Sequence, residues 1–113
     1  MPGVSDIVFA PFPCEETSDK LVHPCLVIDC RGGNLFEVAY GSSKRVCVQG
    51  HLDSELVISD QDEMAACGLV KPTRFDLGVR ATIHIHPSHA IAGALPGTSI
   101  GRLYRAAKHC KLI

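Results

Sequence analysis

Apolar and polar positions alternate along much of this chain at a period of two, interrupted twice by the longer period of a helix. Ile7 to Phe9 and Cys25 to Ile28 are short runs rich in β-branched residues, which predicts two buried strands. Pro11 and Pro13 stop the first, and a polar stretch from Cys14 to Val22 leads to the dipeptide His23-Pro24 ahead of the second. A loop of that length on a small β scaffold is a place where binding or catalysis concentrates.

Further along, Arg31-Gly32-Gly33-Asn34 has turn chemistry, and Leu35 to Tyr40 alternates into a third strand. Arg45 to Gln49 is a short β-prone run, Gly50 to Ser54 a turn, and Glu55 to Ile58 another strand. Ser59 followed by Asp62 reads as a capping box, and with Gly68 past the last apolar position it predicts a helix over 60–67. Phe75 to Ile85 returns to alternation, with Val79, Ala81, Ile83 and Ile85 on one face, and Pro87 ends it. Ser88 to Gly97 is irregular. Thr98 then caps a terminal helix whose apolar stripe is Ile100, Leu103, Ala107 and Cys110, with Arg102, Arg105, Lys108 and Lys111 on a solvated face. The expected class is mainly β with short helices.

At 113 residues with 46% hydrophobic content, the chain is expected to form one domain, 1–113, around one core. It has no apolar run near the roughly 20 residues that span a bilayer, and no basic-then-apolar leader at its start, so a cytoplasmic location without membrane contact is expected. The six cysteines are scattered and mostly sit in apolar runs, which points to reduced thiols acting as small core residues. A net charge of −1 excludes a protein that coats nucleic acid by bulk electrostatics. The cations Lys44, Arg45, Lys71, Arg74 and Arg80 cluster in the centre of the sequence, so a local contact to a short strand stays open. His84 and His86 share one face of a strand and would bind zinc only if a third ligand, such as His89, converged on them.

Four segments, in order, carry a resemblance: Ser5-Asp6-Ile7-Val8, Pro11-Phe12-Pro13, His23-Pro24-Cys25-Leu26-Val27 and Val38-Ala39-Tyr40-Gly41-Ser42-Ser43. A fifth, Lys71-Pro72-Thr73-Arg74-Phe75-Asp76-Leu77, extends it. Together they resemble the PemK/MazF toxin family across most of residues 5 to 85. The resemblance implies a small SH3-like β barrel with a C-terminal helix, shared with CcdB-like proteins. It also implies a homodimer, metal-independent cleavage of single-stranded RNA with no cofactor, and inhibition by an antitoxin protein.

Cleaving RNA in this way needs a base for the 2′-hydroxyl proton, donors for the charged phosphorane and a proton for the leaving 5′-oxygen. By the resemblance, His23 stands where the family carries a catalytic arginine, and Ser42 or Ser43 where it carries a hydroxyl residue. Lys20, Lys44, Arg45 and Arg74 are then the candidate RNA-binding cations. An imidazole with an ordinary pKa of about 6.5 suits proton transfer but clamps phosphate less firmly than a guanidinium. Gly68-Leu69-Val70 stands where several relatives carry a charged Arg-x-Asp pair, and it offers no phosphate donor. Two other readings follow from the same residues. One is a barrel that has lost catalysis and binds a protein or nucleic acid as a phage or mobile-element regulator; the other is a metal-binding protein using His84 and His86.

Overall fold

Five of the six predicted strands form one antiparallel sheet. A computed structural model describes residues 2–11, 22–43 and 53–112. Its elements are β1 (Asp6–Pro11), β2 (Val22–Gly32), β3 (Leu35–Ser42), β4 (Glu55–Ile58), α1 (Gln61–Cys67), β5 (Thr73–His84), β6 (Gly93–Ala94) and α2 (Ile100–His109), the last preceded by a 3₁₀ turn at Gly97–Ser99. Lys20, Lys44, Arg45, Cys14, most of the first polar stretch and the expected strand at Arg45–Gln49 lie outside the described residues.

The six strands run in the order β4-β5-β3-β2-β1-β6 and curl into a half-barrel. Each strand pair is antiparallel. β2 begins at Val22, so His23 and Pro24 belong to the strand rather than to the end of the loop. Gly32 pairs with Leu35 across a two-residue turn of Gly33 and Asn34, both at positive φ, which suits the twist of a hairpin.

Each face of the sheet carries a buried cluster, as apolar residues at consecutive strand positions such as Ile7-Val8 and Cys25-Leu26-Val27 require. On one face Ile7, Leu26, Leu56, Phe75 and Leu77 pack against Cys67 and Leu69 at the end of α1 and against Leu103 and Ala106 of α2. On the other, Val8, Cys25, Val27, Phe36 and Val38 pack with Ile85, joined by Ala81 and Ile83. The second group is the face that the alternation of β5 predicts, except that Val79 is 41% exposed.

A register shift explains Val79. Ala39 pairs with Arg80 but Tyr40 pairs with Asp76, so Leu77, Gly78 and Val79 have no partners on β3. The Gly78 N–H donates to Asp76 Oδ1 at 2.8 Å and the Leu77 N–H to the Ser54 carbonyl at 2.9 Å. This bulge bends β5 so that its first half lies between β3 and β4 and its second half stays on β3 alone.

Four expectations shift at the helices. The N-cap of α1 is Asp60, not Ser59: its carboxylate accepts from the Asp62 and Glu63 N–H groups. Gly68 closes that helix at φ 71°. Thr98 lies inside the 3₁₀ turn and α2 has no side-chain cap, while Ile100 of the expected apolar stripe is 40% exposed. Arg102 is not solvated. It is half-buried, donates to the Val57 carbonyl at 3.0 Å and pairs with Glu63, whose carboxylate also accepts from the buried Ser99 hydroxyl. One guanidinium thus ties α2 to α1 and to the outer edge of β4.

The opposite edge is covered by a segment expected to be irregular. The Leu95 and Ala92 N–H groups donate to the Ser5 and Ile7 carbonyls at 3.0 and 2.8 Å, and His89 Nε2 donates to the Phe9 carbonyl at 2.9 Å. His89 therefore caps β1, and His86 Nδ1 lies 2.6 Å from the Ser88 hydroxyl. Among the described residues no three His, Cys, Asp or Glu side chains converge on a point where they could hold a metal. His84, His86 and His89 thus give the zinc reading no support.

Among the described cysteines, Cys25 and Cys67 are buried free thiols, Cys110 is half-buried, and Cys30 departs from the expectation by being exposed. Burial pushes the Cys25 thiol up to about 12, opposed weakly by its contact with the Ala10 carbonyl. The unfolded chain releases this proton near the ordinary value of 9.0, well before the folded chain does. Stability should therefore fall as pH rises from about 9 toward 12, by at most about 1.4 kcal/mol per pH unit from this group. Comparing urea midpoints of the wild type and Cys25→Val over that range isolates the effect; parallel curves would refute it.

Candidate functional site

Cross-strand register assembles the site. Continuing the Cys25–Tyr40 pairing by two residues sets His23 opposite Ser42, and Ser42 is itself paired with Arg74, which is paired with Val57. Ala10 pairs with His23 on the other side. Ala10, His23, Ser42, Arg74 and Val57 thus form one row across five strands, with β-carbons on neighbouring strands about 5 Å apart. The next row on the same face is Val8, Cys25, Tyr40, Asp76 and Glu55. Alternation sends the intervening residues Phe75 and Leu56 to the opposite face, where they are core.

Of the sequence-derived candidates, Ser42 of β3 is paired with Arg74 of β5, and His23 of β2 stands at the register position opposite Ser42, two residues past the last β2–β3 pair. His23 is half-buried, and its ring lies 5.0 Å from that of Tyr40 at a 49° tilt. Ser42 is only 9% exposed at the end of β3. Ser43 sits one residue further on, in an exposed bend beyond the last pair of the row. Lys20, Lys44 and Arg45 are outside the described residues.

Sequence reasoning missed Tyr40 and Glu55. Each lies two residues along its strand from a member of the first row, Ser42 and Val57, a spacing that puts both on the same face. Arg74 forms an ion pair with Glu55 and lies 4.0 Å from Asp76 Oδ2, so two carboxylates fix its guanidinium. Its charge is held against the sheet rather than left to swing in solvent. Arg80 is engaged elsewhere, on Glu37 at 3.0 Å together with Arg31.

The Arg74–Glu55 pair is mostly buried, with side chains 17% and 7% exposed. Removing the guanidinium takes a charged partner from a carboxylate in low dielectric, so Arg74→Met should cost about 3 kcal/mol. A urea midpoint within error of the wild type would show that the pair contributes nothing.

A tight contact sits behind the row. Gly41 lies between Tyr40 and Ser42, and a β-carbon there would come within 2.4 Å of the Pro24 carbonyl and 2.7 Å of the Phe75 ring. Only glycine lets β3 approach β2 closely enough to bring His23 and Ser42 side by side.

A curled antiparallel sheet with a polar row at one end of one face, and a C-terminal helix across the other, defines a small half-barrel. The chain aligns with the Mycobacterium tuberculosis toxin MazF-mt6 at a TM-score of 0.68 and 17% identity, over 96% of this chain and 97% of that one. It aligns with an endoribonuclease solved in complex with its cognate antitoxin from a mycobacterial species at 0.68 and 9% identity, over 100% and 98%. No protein-family model and no curated protein matches the sequence. The chain has a MazF/PemK-like toxin fold.

Proposed function

We propose that this chain is a toxin-type endoribonuclease that cleaves single-stranded RNA without a metal. The observation that carries the reading is the row His23–Ser42–Arg74, which sets an imidazole, a hydroxyl and a fixed guanidinium side by side on one face of the sheet. His23 takes the proton from the 2′-hydroxyl, whose oxygen attacks phosphorus. The Ser42 hydroxyl and Arg74 donate to the non-bridging oxygens as charge builds on them. The P–O5′ bond breaks, the 5′-oxygen takes a proton from water, and the products are a 2′,3′-cyclic phosphate and a 5′-hydroxyl. His23 is the base here, in place of the arginine that the sequence resemblance implies, and Arg74 supplies the permanent positive charge. Lys20, Lys44 and Arg45 add phosphate contacts.

The active form is a homodimer in the cytoplasm held silent by an antitoxin; a solved neighbour of the same fold is an endoribonuclease bound to its cognate antitoxin. No helix among the described residues is long and apolar enough to cross a membrane. Incubating purified protein with mixed single-stranded RNA and excess chelator tests the reading. Cleavage leaving cyclic-phosphate ends is expected; intact RNA at every protein concentration overturns it in favour of a binding module that has lost catalysis.

A further inference from the structure

The row does not stop at Arg74. Its last member, Val57, and Glu55 of the neighbouring row lie on β4, the edge strand, and both also line a trough of about 650 Å³ that runs between β4 and α2. The far wall of that trough is α2, which contributes Arg102, Arg105, Lys108 and His109. From Ile100 to Ile113 the chain carries no acidic residue, so no charge on α2 offsets them. Arg102 is committed to Glu63 and the Val57 carbonyl, and His109 lies 4.0 Å from the exposed Asp53. Arg105 and Lys108 are exposed and form no ion pair among the described residues.

We infer that this trough is a track for the RNA backbone, binding phosphates of nucleotides that flank the cleaved bond and pass over the β4 edge. The inference rests on the endoribonuclease reading, since it extends the same strand of RNA from the same row. Three features argue for a polyanion rather than an apolar ligand: the wall is cationic, the two uncommitted cations are solvent-facing, and the trough is continuous with the row that would hold the scissile phosphate. Glu55 is paired with Arg74 and Asp53 faces His109, so neither carboxylate is paired with Arg105 or Lys108. Contacts of this kind fix the path of a strand without reading its bases.

The test uses the double substitution Arg105→Gln and Lys108→Gln, at positions outside the proposed catalytic row. Binding of a fluorescent 2′-O-methyl oligonucleotide of mixed sequence, 14 nucleotides long and resistant to cleavage, is measured by anisotropy at several salt concentrations. Two lost phosphate contacts on a single strand lower the slope of log K against log salt by about 1.4, so between 50 and 200 mM salt the wild-type affinity falls about sevenfold more than the variant's. For cleavable RNA, KM rises for a 14-mer while kcat holds, and a trinucleotide is cut equally by both proteins. An unchanged salt slope overturns the track even when both proteins cleave. Equal losses on the 14-mer and the trinucleotide overturn it too, since they mean damage to the row itself. A wild type that binds the 14-mer with the steeper slope yet cuts no RNA overturns the nuclease reading instead and leaves the track as a binding surface.

Discussion

His23→Ala should lower the rate of chelator-resistant RNA cleavage by a factor of about 10² to 10⁴, the usual contribution of a positioned general base. The loss should appear in kcat, because the imidazole acts on the proton in flight rather than on the bound strand. His23 is half-buried at the start of β2 and touches the Tyr40 ring, so truncating it removes little core. The thermal midpoint should therefore stay within a few degrees of the wild type. His23→Arg separates proton transfer from phosphate contact. It introduces the forked donor that the sequence resemblance implies at this position but supplies no base near neutral pH, so tight RNA binding with slow cleavage is expected. Wild-type kcat in the alanine variant would remove His23 from the reaction.

Phe75→Ala should be the most destabilising single change near the site, costing about 3–5 kcal/mol. The ring is fully buried on the helix-facing side of the sheet, and its β-strand neighbours Arg74 and Asp76 point to the other side. It also lies against Gly41, directly behind the point where β2 and β3 come closest. A cavity there takes support from the row as well as from the core. In a domain of this size the midpoint should drop by roughly 15 °C, and calorimetry would register it. Phe75→Leu, which keeps most of the volume, should lose less than half as much. A variant with alanine at 75 that melts like the wild type would mean that the packing described around β5 is wrong.

Much of the half-barrel is legible in the residues. The β-branched runs, the turn at Gly33 and Asn34, the helix closed by Gly68 and the long alternation before Pro87 are local patterns, and local patterns survive folding. What the sequence conceals depends on pairings between distant segments. The bulge at Leu77 to Val79 exists because β5 must serve two neighbours, and no periodicity announces it. β6 is two small residues long, too short to show a period, and is made a strand by the exposed edge of β1. The same holds at the site. His23, Ser42 and Arg74 can each be named from the chain, but only register shows that they are adjacent, and only the sheet reveals that Glu55 holds Arg74. Pro24 within β2 hid the true start of that strand, since proline is expected at edges.

Both borders of the sheet are sealed by the C-terminal third of the chain: β1 by residues 89–95 and β4 through Arg102. During synthesis the first strand leaves the ribosome long before its cover exists. A nascent chain ending before residue 89 would expose unpaired backbone along β1 and β4, and such contacts between sequence-distant parts close slowly. Closure of both borders thus waits until residue 102 has been made, so the edges are the last part of the sheet to be covered.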